Sequence, residues 1–197
     1  GDQKTPEMKI AAYRAMRRAE VDTSGSAMRL AKDENPAVRR EVALSMRNES
    51  LDTSKDILIT IAAGYDGKDR SYLEAFGTGA AGKEAEIYRA VKKALNVGDD
   101  ARQWSNAFAG IAWRLHPIEA IDDFLIRAKS DAVSKAQRKQ AMDALAFIHI
   151  QSSSEAMLTL AQLDTPLKAG ATWWLMNRAN NKWQDFGLMA KLKDRGI

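Results

Sequence analysis

Apolar side chains recur along this chain at three- and four-residue intervals, the spacing that puts them on one face of an α-helix. One frame, an apolar or neutral residue followed at four-residue steps by a small one and an apolar one, appears six times. It reads Met8, Ala12, Met16; Val38, Val42, Met46; Tyr72, Phe76, Ala80; Gln103, Ala107, Ile111; Gln137, Ala141, Leu145; and Leu167, Ala171, Leu175. Successive copies are offset by 30, 34, 31, 34 and 30 residues. A second set of helical runs lies between them: Ser26 to Lys32, Lys55 to Ala63, Glu84 to Leu95, Ile118 to Lys129, Glu155 to Leu163, and Lys182 to Asp194. Short polar links such as "NVGDD", "SDAVS" and "LDT" separate the pairs, and no two-residue alternation of the strand type competes. The expected fold is all-α, an α-α superhelix (solenoid) of about six short helical hairpins forming one repeat domain over residues 1–197.

Punctuation agrees with this pattern. The four prolines sit in "TPE", "NPA", "HPI" and "TPL", each just before a helical run. Proline suits the first helical position because its missing N–H would have no partner there, and Thr or Asn before it can cap the helix. All four are therefore expected to mark helix starts.

The stretch "LAKDENPAVRREVALSM" resembles the HEAT-repeat signature, with an acid closing one helix and Pro then Val-Arg opening the next. The tetratricopeptide consensus, which has a similar period, is absent. Lys9, Arg39, Arg138 and Lys168 share the position after the first frame residue, and Asp33, Asp131 and Asp164 stand shortly before three of them. Basic side chains at a repeated site near acids suit a ladder between adjacent repeats. Arg39 is assigned to that ladder rather than to a ligand, and Arg40, outside the ladder position, is expected to be solvated.

Composition narrows the function classes. At 197 residues, with 45% hydrophobic and 28% charged residues, the chain has the content of a folded domain. Thirty Lys and Arg against 26 Asp and Glu give a formal charge of +4, interleaved with acids along the chain, which reads as a solvated face before it reads as a nucleic-acid footprint. Without cysteine, a disulfide, a thiolate metal site and covalent haem attachment within this chain are excluded. No apolar run approaches the roughly 18 residues of a membrane helix, so no membrane insertion is expected. The start "GDQKTPEM" has no signal-peptide pattern, and its leading Gly reads as a cleavage scar on a piece of a longer protein.

Several motifs invite chemistry. "GTGAAG", Gly77 to Gly82, matches G-x-G-x-x-G, but a dinucleotide fingerprint needs a strand before it; here it is expected to be a closely packed helix end. His116 and His149 stand alone, without metal spacing, and His116 before Pro117 reads as a boundary residue. Trp104, Trp113, Trp173 and Trp174 fall near frame positions and are expected to fill the core, the alternative being an aromatic groove. "GYDGKDRSYLEAF" gathers Asp66, Asp69, Arg70 and Glu74 with a spacing that is not that of an EF-hand. Asp69 is expected to cap a helix and Arg70 to pair with Glu74. No catalytic, cofactor-binding or metal residue is assigned; Asp69, Arg70, Glu74, Arg114 and His116 form the candidate interaction surface.

The combination "NPAVRREVALSM", "GYDGKDRSYLEAFGTGA", "AWRLHP", "QRKQAMDALAFI" and "ATWWLMNR" resembles the helical-repeat segment of large exported proteins of planctomycete, verrucomicrobial and Bacteroidetes-type bacteria. Such proteins are similar to membrane-bound or sugar dehydrogenases, with a β-propeller before the HEAT segment and a c-type cytochrome domain after it. The resemblance covers Met8 to Leu192. It implies a non-catalytic scaffold or protein-interaction domain in a periplasmic or exported oxidoreductase whose parent protein carries c-type haem, with neighbouring domains or another protein as partner. It carries no catalytic or haem-ligating residue onto this chain. The alternative from another class is a nucleic-acid-binding or DNA-repair protein of the helical DNA glycosylase type, with Arg14, Arg17, Arg18, Arg39 and Arg40 as its basic residues.

Overall fold

A computed structural model describes residues 5–196. They form twelve α-helices joined by short turns, and no strand occurs among the described residues. The helices are α1 (Pro6–Arg18), α2 (Ser24–Ala31), α3 (Pro36–Ser45), α4 (Leu51–Ala63), α5 (Arg70–Gly79), α6 (Glu84–Ala94), α7 (Asn106–Leu115), α8 (Ile121–Lys129), α9 (Lys135–Ala146), α10 (Gln151–Gln162), α11 (Lys168–Ala179) and α12 (Leu188–Asp194). None is long and apolar enough to cross a membrane.

Local chemistry places many of the helix ends. Thr5, Asn35, Ser50 and Asp69 accept from Met8, Ala37, Thr53 and Tyr72 backbone N–H groups, satisfying donors that the first helical turn leaves without partners. Ser134 and Gln137 form a reciprocal capping box at the start of α9. Glu20, Asn96 and His116 follow α1, α6 and α7 in the left-handed region (φ 54°, 49° and 48°), a common way to end a helix. Of the four prolines, Pro6 and Pro36 open α1 and α3 as expected. Pro117 instead precedes a 3-10 turn at 118–120 before α8, and Pro166 lies in the turn before α11. The run from Lys182 is likewise divided, into a 3-10 turn at 184–186 and α12.

The contacts divide the chain into two compact units. One comprises residues up to Val97 together with Asn106–Leu115; the other comprises Gly98–Ser105 and the residues from His116 onward. In the first unit α3 packs between α1 and α5, α5 also packs on α7, and α4 packs between α2 and α6. Val38, Val42 and Met46 are buried, as are Tyr72, Phe76 and Ala80. Close packing on α5 depends on glycine: toward α3 a Cβ on Gly79 would lie 2.2 Å from the Ala43 carbonyl oxygen, and toward α7 one on Gly77 would meet the Arg114 guanidinium at 2.4 Å. That gives "GTGAAG" its close-packing role. In the second unit α8 packs on α9, and α10 packs on α8, α9 and α11. Ala141, Leu145, Ala171 and Leu175 line its core with Trp183, which is fully buried and donates its indole N–H to the Ile148 carbonyl at 3.0 Å.

Two copies of the frame depart from expectation. Met8 is 55% exposed and Ala12 is also exposed, because α1 packs on α3 through the face that carries Tyr13, whose hydroxyl meets Ser45 at 2.8 Å. Gln103 belongs to a 3-10 turn and is exposed, because Asp100 caps that turn and α7 begins only at Asn106. There the buried face is Phe108, Ile111, Ala112 and Leu115.

Candidate functional site

Arg39 reaches in three directions from α3. Its guanidinium donates to the Asp33 and Glu34 carbonyls at 2.6 and 2.9 Å, to the Gly64 carbonyl at 3.0 Å and to the Tyr72 hydroxyl at 3.0 Å. Four of its donors thus go to the loop before its own helix and to the turn and helix that follow α4. Lys9 supplies the charge partner of Asp33 at 2.7 Å, and Arg138 pairs with Asp131 at 2.6 Å. Burial pushes the Asp33 carboxyl up, but the Lys9 bond and the nearby charges outweigh it and hold the carboxyl below its ordinary range. Arg40 is not simply solvated: it lies 3.4 Å from Asp69, because α5 brings its own cap residue against α3.

Asp69, Arg70, Glu74 and Arg114 come together in the first unit. Asp69 caps α5, while Arg70 and Arg114 share the Glu74 carboxylate at 2.5 and 2.7 Å. Arg70 also stacks over the Trp113 ring, 4.4 Å from its centroid. Burial raises the Glu74 carboxyl, and the Arg114 and Arg70 bonds then lower it below its ordinary value. The assembly is a charge-balanced brace between α5 and α7, with its carboxylate consumed by two arginines. His116 is placed elsewhere, in the second unit, where its ring lies 5.2 Å from Phe147.

That contact opens onto an aromatic surface, where the sequence favours core and holds an aromatic groove only as the alternative. Phe147 packs edge-on against Trp174 at 5.5 Å, and Trp174 against Trp173 at 4.8 Å. Arg178 lies 5.0 Å from the ring centroids of both Phe147 and Trp174 and donates to the Ala146 carbonyl. The Trp174 indole N–H bonds Asp143, which also holds Lys139. Trp173 is not core: it is 58% exposed, with Phe147 and Met176 exposed beside it. The signal was present in the spacing, since Ala171 and Leu175 define the buried face and a residue two positions from each points away from it. Trp104 is buried as expected, against Phe124 and the guanidinium of the buried Arg127, whereas Trp113 and Trp174 are half-buried.

Open clefts lie in the first unit. One, of about 550 Å³, is lined by Arg17, Glu20, Asp22, Asn48, Glu49 and their neighbours; another, of about 810 Å³, surrounds Lys9, Asp33 and Asn35. Among the described residues, no group of three or more His, Asp or Glu is arranged to hold a metal ion. No family model, curated protein or solved structure matches the chain.

Proposed function

We propose that this chain is a non-catalytic helical-repeat scaffold, a solenoid of short HEAT-like hairpins that holds neighbouring domains or docks a protein partner. The observation that carries the reading is the use made of its charged side chains. Lys9–Asp33, Arg14–Glu41, the four bonds of Arg39 and Arg114–Glu74 tie helices to one another and to the turns between them, leaving these groups as structure rather than as acids, bases or nucleophiles. The motif resemblance extends the proposal to an exported oxidoreductase in which this segment spaces a propeller from a c-type haem domain.

The test is turnover. The isolated chain, offered sugar and alcohol substrates with an artificial electron acceptor, is expected to show no acceptor reduction above a heat-denatured control. Saturable turnover would overturn the scaffold reading. The sequence of the parent gene on both sides tests the extension: a propeller before this segment and CxxCH after it are expected, and a reading frame confined to these residues would remove it.

A further inference from the structure

The second unit carries a continuous row of rings, His116, Phe147, Trp174 and Trp173, that no charge-balanced brace explains. Phe147, Trp173 and Met176 are 42%, 58% and 46% exposed, a concentration of large apolar surface of the kind that marks an interaction site. Cations border it. Arg178 lies against two of the rings, and Lys139 is tied to the ring row through Asp143. Asp143, which accepts from the Trp174 indole, is already shared with Lys139.

Ring geometry decides what kind of partner fits. Stacking of successive nucleobases needs a series of open ring faces. Here Trp173 and Trp174 are inclined at 74° and Phe147 and Trp174 at 67°, while Arg178 lies over Phe147 and Trp174. What stays accessible is the Trp173 ring, the Phe147 edge and the Met176 side chain, a knobbed apolar surface with positive charge at its margin. Tryptophan and arginine together are the side chains that dominate protein interfaces.

We propose that this face docks a segment of a protein partner bearing one or two large apolar side chains flanked by Asp or Glu. The apolar anchor sits on Trp173, Phe147 and Met176, and the flanking carboxylates meet Arg178. The proposal rests on the scaffold reading and names the partner chemistry for it.

Random peptides displayed on phage, selected on the whole chain, supply the probe. Enriched peptides are expected to carry net negative charge and an aromatic or Leu anchor, and to bind less tightly as salt is raised. Trp173→Ala is expected to weaken them at least about tenfold, as removal of a central anchor does. Lys139→Glu, a change at an exposed position beside the row, is expected to weaken them severalfold with the helical signal unchanged. Enrichment of basic peptides, no enrichment at all, or equal binding to wild type and Trp173→Ala would overturn the proposal. Oligothymidine binding lost in Trp173→Ala would reassign the face to nucleic acid, and a dimer dissociated by Trp173→Ala would reassign it to a second copy. Any of these leaves the scaffold reading standing, whereas redox turnover by the chain removes that reading while the peptide result stands by itself.

Discussion

Replacing Arg39 by Ala is the sharpest test of how this fold is held. Four hydrogen bonds disappear, but they are not equal. The Glu34 and Gly64 carbonyls are at exposed sites and regain water, so each costs about 0.5 kcal/mol, the low end for a net hydrogen bond. The bonds to the Asp33 carbonyl and the Tyr72 hydroxyl are part-buried, and each costs about 1 kcal/mol. Tyr72 keeps its 2.6 Å bond to the Ile61 carbonyl, so its hydroxyl is not orphaned. The guanidinium also lies 5.2 Å from the centroid of the Tyr72 ring, a contact contributing about 0.5 kcal/mol at a partly exposed site. Together these predict a loss of about 3.5 kcal/mol. Arg39→Lys keeps the charge but not the planar fork that spans three segments, so it is expected to lose about half of that. The assay is urea unfolding followed by the far-ultraviolet helical signal, read as a shift in midpoint at constant slope. A loss below about 0.5 kcal/mol in Arg39→Ala, the range of an ordinary surface change, would refute the bracing role and return this guanidinium to the pool of ligand contacts.

Three further outcomes are expected. Gly79→Ala places a methyl 2.2 Å from the Ala43 carbonyl and is expected to cost about 2 kcal/mol by overpacking, whereas Gly25→Ala, a helical site with open space around it, should stabilise by about 0.5 kcal/mol; urea midpoints of the pair compare them. Because Glu74 has its folded pKa lowered from 4.5, its contribution is present above that value and fades as pH falls through the folded one, so acid titration of stability should show a loss that Glu74→Gln flattens. A labelled DNA duplex is expected to show no anisotropy change with the chain even at low salt, where phosphate-driven binding would be strongest; a strongly salt-dependent rise would favour the nucleic-acid alternative.

Helical periodicity made the all-α class legible, and the cap residues Thr5, Asn35 and Asp69 made three of the helix starts legible, because both are local effects. The same holds for the Arg70–Glu74 pair, one helical turn apart. Which face of each helix is covered was not local. Met8 and Val38 occupy the same frame position, yet one is exposed and the other buried, since α3 has helices packed on both sides while α1 meets α3 through Tyr13. Arg114 reaches Glu74 across forty positions of chain, and Trp174 reaches Asp143 across thirty-one, so no sequence spacing announces either tie. Trp173 and Trp174 show the division most directly. As neighbours in sequence they share composition and propensity, but successive residues on a helix point about 100° apart: the spacing of Ala171 and Leu175 turns Trp173 outward, whereas only tertiary packing brings Trp174 against Phe147, Asp143 and Arg178 and half-buries it.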